Sequence, residues 1–349
     1  MAARRREAAH GIPLVRADLT RSDAQAVRQQ LATAPFQDEA VLARWEAAWE
    51  TLWHRAAVAF ADPVGLILAL KSVLGWRAGE QVGLDPLLDP AWREALATAW
   101  LYPAWRDVDP HSGQGRGAFV PDGAAGGPVR AGLCQHPFGL PGQPTGEGVP
   151  FWLEDISSVL SPRPGCGWGD VQVVYLSGNR LVAAGGSALL LTRDEAFGDA
   201  LRRVRRPPGP LACALGLSQL RSLASRLARR QELAERYRQL RGRGWFQWPV
   251  AREEGRVWEM FLLTMASEVE LSALQQFLQV SQIHAASPIW FRPANPLAGP
   301  GHFSGWQQFQ ARMLALPLYA SLTDPEQKRI INRVQRWVGY REKKTPPGG

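Results

Sequence analysis

Three short apolar segments near the middle of the chain constrain the fold more than any other feature. They cover residues 150–155, 170–176 and 187–191, and each is followed by a polar or glycine-containing turn or by a helix-capping sequence. Helical patterns lie before and after them. Strands that alternate with helices are typical of a mixed or parallel sheet covered on both faces. The sequence therefore predicts an α/β fold.

The spacing of apolar residues predicts the neighbouring elements. A short apolar helix over residues 64–74 ends at Gly75. The other predicted elements are helices over 22–34 and 41–58, one long helix over 211–240, strands over 101–108 and 129–134, and a flexible surface loop over 113–132.

The length of 349 residues predicts two lobes, because single domains usually hold roughly 100–200 residues. We predict a large α/β domain over 12–225 and a smaller C-terminal domain over 226–339. Residues 1–11 and 340–349 are expected to be flexible tails.

Composition excludes several classes of protein. Hydrophobic residues make up 46% of the chain, which excludes general disorder. No apolar run approaches the roughly 20 residues of a membrane span, and no apolar stretch follows the basic N-terminus, so we expect a cytoplasmic protein without membrane contact. The three cysteines are widely spaced and the histidines lack metal-ligand spacing. We therefore expect no bound metal, and histidines at the surface or the edge of the core.

The net charge of +8 raises the question of nucleic-acid binding. Only four of the 40 basic residues are lysines, and the densest basic stretch, residues 201–208, contains no aromatic side chain. This pattern indicates a compositional preference for arginine. We do not expect nucleic acid as a partner, although a basic polyanion-binding protein on an old enzyme scaffold stays open as a second alternative.

Several segments, in order along the chain, resemble the DegT/DnrJ/StrS-type sugar aminotransferases. These are pyridoxal-phosphate enzymes that aminate keto sugars carried on nucleotides. The segments that carry the resemblance are Ile12–Asp18, Trp105–Pro110, Leu153–Asp155, Gly169–Asp170, Ser177–Arg180, Ala184–Gly186, Ala214–Leu220, Glu235–Tyr237 and Leu316–Glu326. The resemblance implies an aspartate-aminotransferase-like fold of type I. Such a fold has a three-layer large domain, with a mixed and mostly parallel sheet, and a smaller C-terminal α/β domain.

The catalytic lysine of that family corresponds to Arg180 here, at the end of the turn that contains Asn179. Transamination needs an amine that attacks the cofactor aldehyde and then moves a proton. A guanidinium has a pKa above about 12 and does neither near neutral pH. We therefore predict that this chain forms no Schiff base, and no catalytic residue is assigned.

The family's phosphate-binding turn corresponds to Ala61, Asp62 and Pro63. Pro63 has no N–H to donate, and Asp62 places a carboxylate where the phosphate dianion is held. A serine of the strand before the lysine turn corresponds to Tyr175. An asparagine that the family supplies across its dimer interface aligns near Arg205. We therefore expect no cofactor in this chain.

Asp155 corresponds to the carboxylate that pairs with the pyridinium nitrogen of the cofactor. A second interpretation is structural, because an aspartate at a strand end can cap the turn at Ser157 and Ser158 or balance Arg180. The resemblance places a glutamine or histidine at Ser158. We favour the structural interpretation and predict a direct Asp155–Arg180 ion pair.

These features predict a catalytically degenerate relative of the sugar aminotransferases. It would serve as a binding or regulatory subunit in nucleotide-sugar or polysaccharide metabolism. Because the family builds its sites across a two-fold interface, we expect a homodimer, or a heterodimer with an active paralogue. A nucleotide sugar is a possible ligand. The first alternative is an active pyridoxal-phosphate- or pyridoxamine-phosphate-dependent transaminase or dehydratase.

Overall fold

The larger sheet in the computed structural model has eight strands. The structure describes residues 11–34, 36–120, 127–144, 148–160, 166–248, 256–288 and 303–344. The strands are β1 (Ala56–Phe60), β2 (Gln81–Leu84), β3 (Tyr102–Val108), β4 (Gly115–Val120), β5 (Val129–Gln135), β6 (Trp152–Asp155), β7 (Val171–Leu176) and β8 (Ser187–Thr192). Their order is β1-β8-β7-β6-β5-β2-β3-β4. The central run from β7 to β3 is parallel, and the outer pairs are antiparallel.

Helices cover both faces of this sheet. They are α1 (Arg21–Thr33), α2 (Glu39–Trp53), α3 (Pro63–Leu74), α4 (Pro90–Thr98), α5 (Glu195–Val204), α6 (Pro210–Arg221) and α7 (Leu223–Tyr237). In β1, Val58 and Phe60 pack into the core on the α3 side, whereas Ala57 and Ala59 pack into the core on the α2 side. The fold is therefore the expected three-layer α/β architecture of fold type I.

The smaller sheet is antiparallel, in the order β11-β10-β9. Its elements are β9 (Phe246–Gln247), β10 (Phe261–Met265), α8 (Glu268–Val280), α9 (Ser304–Arg312), β11 (Met313–Leu316) and α10 (Asp324–Lys344). Ile12 bridges to Ile283 and joins the core of this lobe. The two lobes meet through stacked rings of Phe138 and Phe309, whose centroids lie 5.6 Å apart. None of the described helices is long and apolar enough to cross a membrane.

Four element predictions are wrong in detail. The helix predicted over 41–58 ends at Trp53, because His54 takes a left-handed conformation (φ 51°) and β1 begins two residues later. β1 is buried on both faces, so its apolar run lacks the alternation that distinguishes strand from helix. The loop predicted over 113–132 contains the edge strand β4 and the start of β5.

The single helix predicted over 211–240 is divided at Ser222 into α6 and α7. Arg226 stabilises the break between the two helices. Its guanidinium donates to the carbonyl oxygen of Leu181 and to both the side chain and the backbone of Gln219. The last helix continues to Lys344, beyond the predicted end at residue 339. Of the predicted tails over 1–11 and 340–349, residues 1–10 and 345–349 lie outside the described residues.

Candidate functional site

Asp155 lies at the carboxyl end of β6, beside β7 in the parallel part of the sheet. One of its oxygens accepts hydrogen bonds from the backbone N–H (2.9 Å) and the hydroxyl of Ser157, as in the predicted cap of the turn. The other oxygen accepts the indole N–H of Trp92 at 2.8 Å. Both carboxylate oxygens therefore have buried donors from the chain itself.

Arg180 lies in the turn between β7 and β8, and its side chain is only 10% exposed. Its guanidinium donates to Asp89 at 2.6 Å and to Glu259 at 2.9 Å, with a longer contact of 3.3 Å to the hydroxyl of Ser158. The predicted direct Asp155–Arg180 ion pair is wrong. Asp89 caps α4 and Glu259 precedes β10, so these two carboxylates surround the guanidinium from both lobes.

The charges of this cluster act on one another. Burial alone would lower the pKa of Arg180, but Glu259, then Asp89 and Asp155, raise it above its ordinary value. Burial raises the pKa of Asp155, and the opposing effects of Arg180, Ser157 and Trp92 only partly offset it. Arg180 is therefore a permanent cation that neutralises carboxylates, which excludes it as a nucleophile or base.

Asp62 lies at the other end of the cleft as the N-cap of α3. Its carboxylate accepts the backbone N–H of Gly65 at 2.7 Å, and the next residue, Pro63, has no N–H. The N–H of Leu66 is already bonded to the backbone oxygen of Asp62 at 3.3 Å. The helix terminus that could hold a phosphate is thus capped by the chain's own carboxylate.

Tyr175 lies between these two ends. Its ring packs against Trp92, with centroids 6.5 Å apart. Burial, followed by the charge of Asp89, raises its pKa, and the charges of Arg180 and Asp62 also act on its phenol. The aromatic pair therefore connects Asp155, through the indole of Trp92, with the phenol of Tyr175 on which the charge of Asp62 acts.

The remaining predicted positions divide into two groups. Ser158 is buried in the cleft beside Arg180. Asn179 is exposed, and its side-chain oxygen accepts the hydroxyl of Ser177. Arg205 pairs with Glu46 on α2, although the adjacent carbonyl of Arg206 accepts the N–H of Ala61 at 2.8 Å. The structure therefore brings Asp155, Ser158, Tyr175, Arg180 and the Asp62–Pro63 turn together, while Asn179 and Arg205 have other partners.

None of the four lysines offers an amine to the cleft. Lys71 lies in the last turn of α3, nine residues after the Asp62 cap or about 13 Å along the helix, and it donates to the carbonyl of Ala99. Lys328, Lys343 and Lys344 belong to α10 in the small lobe. The described residues therefore do not fit pyridoxal phosphate: none of them brings an amine to Asp155, and the chain's own groups take the donor and acceptor positions.

One group outside the cleft has the composition of a metal site. His136, Glu154 and Cys166 have ligand atoms within 4.8 Å of one another. His136 is fully buried, so its expected place at the surface or core edge is wrong. Its Nδ1 accepts the N–H of Gly142 at 2.7 Å, so Nε2 carries the proton toward Glu154. Both oxygens of Glu154 also accept the N–H of Gly167, and one accepts the N–H of Gly169, so donors of the chain itself contact each carboxylate oxygen.

Sequence reasoning missed three residues of the cleft. Asp89 precedes Pro90, and an aspartate followed by proline at a helix start is a recognisable cap signal. Trp92 and Glu259 carry no comparable signal, because their partners lie 63 and 79 residues away in the chain.

Residues 210–335 match the sequence profile of the DegT/DnrJ/EryC1/StrS aminotransferase family. No curated protein is significantly similar in sequence to this chain. The fold is similar to that of the aminotransferase TlmJ from Streptoalloteichus hindustanus, with 20% identity, a TM-score of 0.79 and coverage of 94% of this chain and 99% of that one.

Two further structures show the same fold. A sugar aminotransferase from Micromonospora echinospora is 18% identical, with a TM-score of 0.78 and coverage of 93% of this chain and 99% of that one. The protein NtdA from Bacillus subtilis, solved with bound cofactor PMP, is 16% identical, with a TM-score of 0.79 and coverage of 94% and 85%. These likenesses establish the aminotransferase fold, and the family profile covers the C-terminal part of the chain.

Proposed function

We propose that this chain is a member of the sugar aminotransferase family that has lost transamination and acts as a binding or regulatory subunit in nucleotide-sugar or polysaccharide metabolism. The observation that carries the proposal is the environment of Arg180. A buried, permanently charged guanidinium stands where the resemblance implies the catalytic amine, and two carboxylates from two lobes hold it.

The other two anchoring points of a cofactor support the same conclusion. Trp92 donates to the Asp155 oxygen that a pyridinium nitrogen needs, and Asp62 caps the helix that a phosphate needs. A phosphate near Asp62 meets a like charge, which costs about 1 kcal/mol at 4 Å in water and more when partly buried. Arg180, Trp92 and Asp62 act together, because each takes the place of a contact to a different part of the same cofactor.

A cofactor titration tests the loss of function. We expect no saturable binding when pyridoxal phosphate or pyridoxamine phosphate is titrated into the protein in a calorimeter. The matched variant restores the turn with Ala61→Ser, Asp62→Gly and Pro63→Thr and removes the indole with Trp92→Ala. The proposal is supported if the variant binds the cofactor and the natural chain does not. Stoichiometric binding of the cofactor by the natural chain contradicts it.

A sedimentation experiment tests the subunit role. The full chain is mixed with a family member that retains the lysine, and the mass of the complex is measured. We expect a dimer, either with itself or with the lysine-bearing homologue. A protein that stays monomeric under both conditions contradicts the proposed subunit role while leaving the cofactor result unaffected.

A further inference from the structure

Three helices of the large lobe form an open groove that shares no residue with the site around Asp155 and Arg180. α1 and α2 form its walls and both pack against α6, which forms its floor. The groove has a volume of about 600 Å³. Its floor is apolar, with Ala214, Leu217 and Leu220.

Three polar side chains on the walls of this groove, α1 and α2, already donate their protons within the chain, whereas Gln29 is an exposed amide. Thr33 and Thr51 donate their hydroxyl protons to carbonyls of their own helices, at 3.0 and 2.8 Å. Gln30 donates its amide to Ala34 and to the carboxylate of Asp38. Small side chains at Ala26 and Ala48 let another backbone approach closely. An occupant is therefore recognised mainly by shape and apolar contact.

Two guanidinium groups are the exception. Arg44 on α2 and Arg221 at the end of α6 both line the groove and are exposed. The guanidinium of Arg44 donates to the carbonyl of Ala40 in its own helix at 3.3 Å, and, after the hydrogen bond from Gln30, its charge helps to lower the pKa of Asp38. Asp38, the carboxylate that lines the same groove, is held by Gln30 and by the N–H of Val41. The groove therefore has two guanidinium groups and one carboxylate above an apolar floor, which leaves an excess of positive charge.

Phe36 is an aromatic residue, 88% exposed, in the segment that joins the two wall helices, α1 and α2. Leu52, on the α2 wall, is 40% exposed. Large aromatic side chains at this exposure commonly contribute to protein interfaces.

We propose that this groove binds an acidic amphipathic helix of a partner protein, independently of the function of the cleft. Two helices lying on a third offer a fourth helix the ridges-into-grooves packing that holds helices about 8–10 Å apart. Acidic residues beside the apolar stripe of the partner pair with Arg44 and Arg221. A second copy of this chain is disfavoured at this groove, because a two-fold contact there brings the same two arginines toward each other. A small amphiphile is disfavoured because such ligands need pockets that enclose most of their surface.

A synthetic helix of about 18 residues tests the proposal. It carries leucines at positions i, i+3, i+4 and i+7, flanked by glutamates, and a matched peptide carries lysines in place of the glutamates. Fluorescence anisotropy with the full chain measures both affinities. We expect the acidic peptide to bind at least about tenfold more tightly than the basic one at low salt.

Variants of the full chain locate the binding. Ala48→Trp fills the groove and should abolish binding, and Arg44→Glu should weaken it about tenfold. Arg28→Glu is the matched control, since Arg28 is exposed on α1 but does not line the groove. Equal binding of the two peptides, no binding of the acidic one, or an equal effect of Arg28→Glu overturns the proposal. So does displacement of the peptide by laurate, or a homodimer that Ala48→Trp dissociates.

Discussion

The two ends of the cleft are closed by interactions of very different range. At the α3 end, Asp62 bonds to Gly65, three residues away. At the β6–β7 end, Trp92 reaches Asp155 across 63 residues, and Arg180 reaches Asp89 and Glu259 across 91 and 79 residues. The first closure is a local helix cap, while the second joins the two lobes. We therefore expect changes at the Arg180 end to affect global stability and changes at Asp62 to act locally.

The largest expected effect is that of Arg180→Ala. It leaves the buried Glu259 and the partly buried Asp89 without this counter-charge, so the free energy of unfolding should fall by about 3 kcal/mol. Urea denaturation of both proteins measures the difference. The matched control is Arg180→Met combined with Asp89→Asn and Glu259→Gln, which removes the charges together and should recover most of the loss. If the single variant is as stable as the natural chain, the guanidinium does not join the lobes.

Trp92→Phe should cost about 2 kcal/mol, because a buried oxygen of Asp155 loses its donor. Trp49→Phe is the matched control, since Trp49 is fully buried and its indole N–H has no hydrogen-bond partner. Thermal denaturation of the two variants separates the hydrogen bond from the loss of ring volume. Equal losses in both variants would show that the Trp92–Asp155 bond contributes nothing.

Asp62→Ala should cost about 1 kcal/mol, as expected for the loss of an N-cap. Asp194→Ala removes the corresponding cap of α5, where Asp194 accepts the N–H of Phe197, and should cost a similar amount. Only Asp62→Ala should increase affinity for inorganic phosphate, which phosphorus NMR line widths measure. If phosphate affinity increases in both variants, or in neither, the Asp62 cap is not what prevents phosphate binding at this helix.

The smallest effect is the pH dependence of Asp155→Asn. Burial raises the pKa of Asp155 in the folded chain, so the folded state is favoured while this carboxyl is protonated. The free energy of unfolding of the natural chain therefore decreases as the pH rises through that pKa, whereas an asparagine at this position does not titrate. The stability of the variant relative to the natural chain should therefore increase as the pH rises above about 4, the ordinary pKa of an aspartate. Denaturation at a series of pH values checks the sign. A relative decrease with pH contradicts it.

The amino-acid sequence predicts the local elements of this site but not the long-range contacts between them. The strands that end at Asp155 and Leu176 follow from their apolar pattern, and the start of α3 follows from helical spacing. The role of Arg180 as a fixed cation follows from its side-chain chemistry. Its partners do not, because a carboxylate 79 residues away is chosen by the way the lobes pack. The wrong Asp155–Arg180 prediction paired two charges that the family resemblance places in one site, and no sequence signal pointed to Trp92.

Reductive trapping is the most direct test of the claim that the chain's own side chains have replaced the cofactor. The protein is incubated with pyridoxal phosphate, treated with borohydride and digested, and labelled lysines are mapped by mass spectrometry, with Arg180→Lys as the control. We predict no aldimine absorption band in the natural chain, and only partial labelling spread over Lys71, Lys328, Lys343 and Lys344. A band accompanied by stoichiometric label on one lysine would contradict the account.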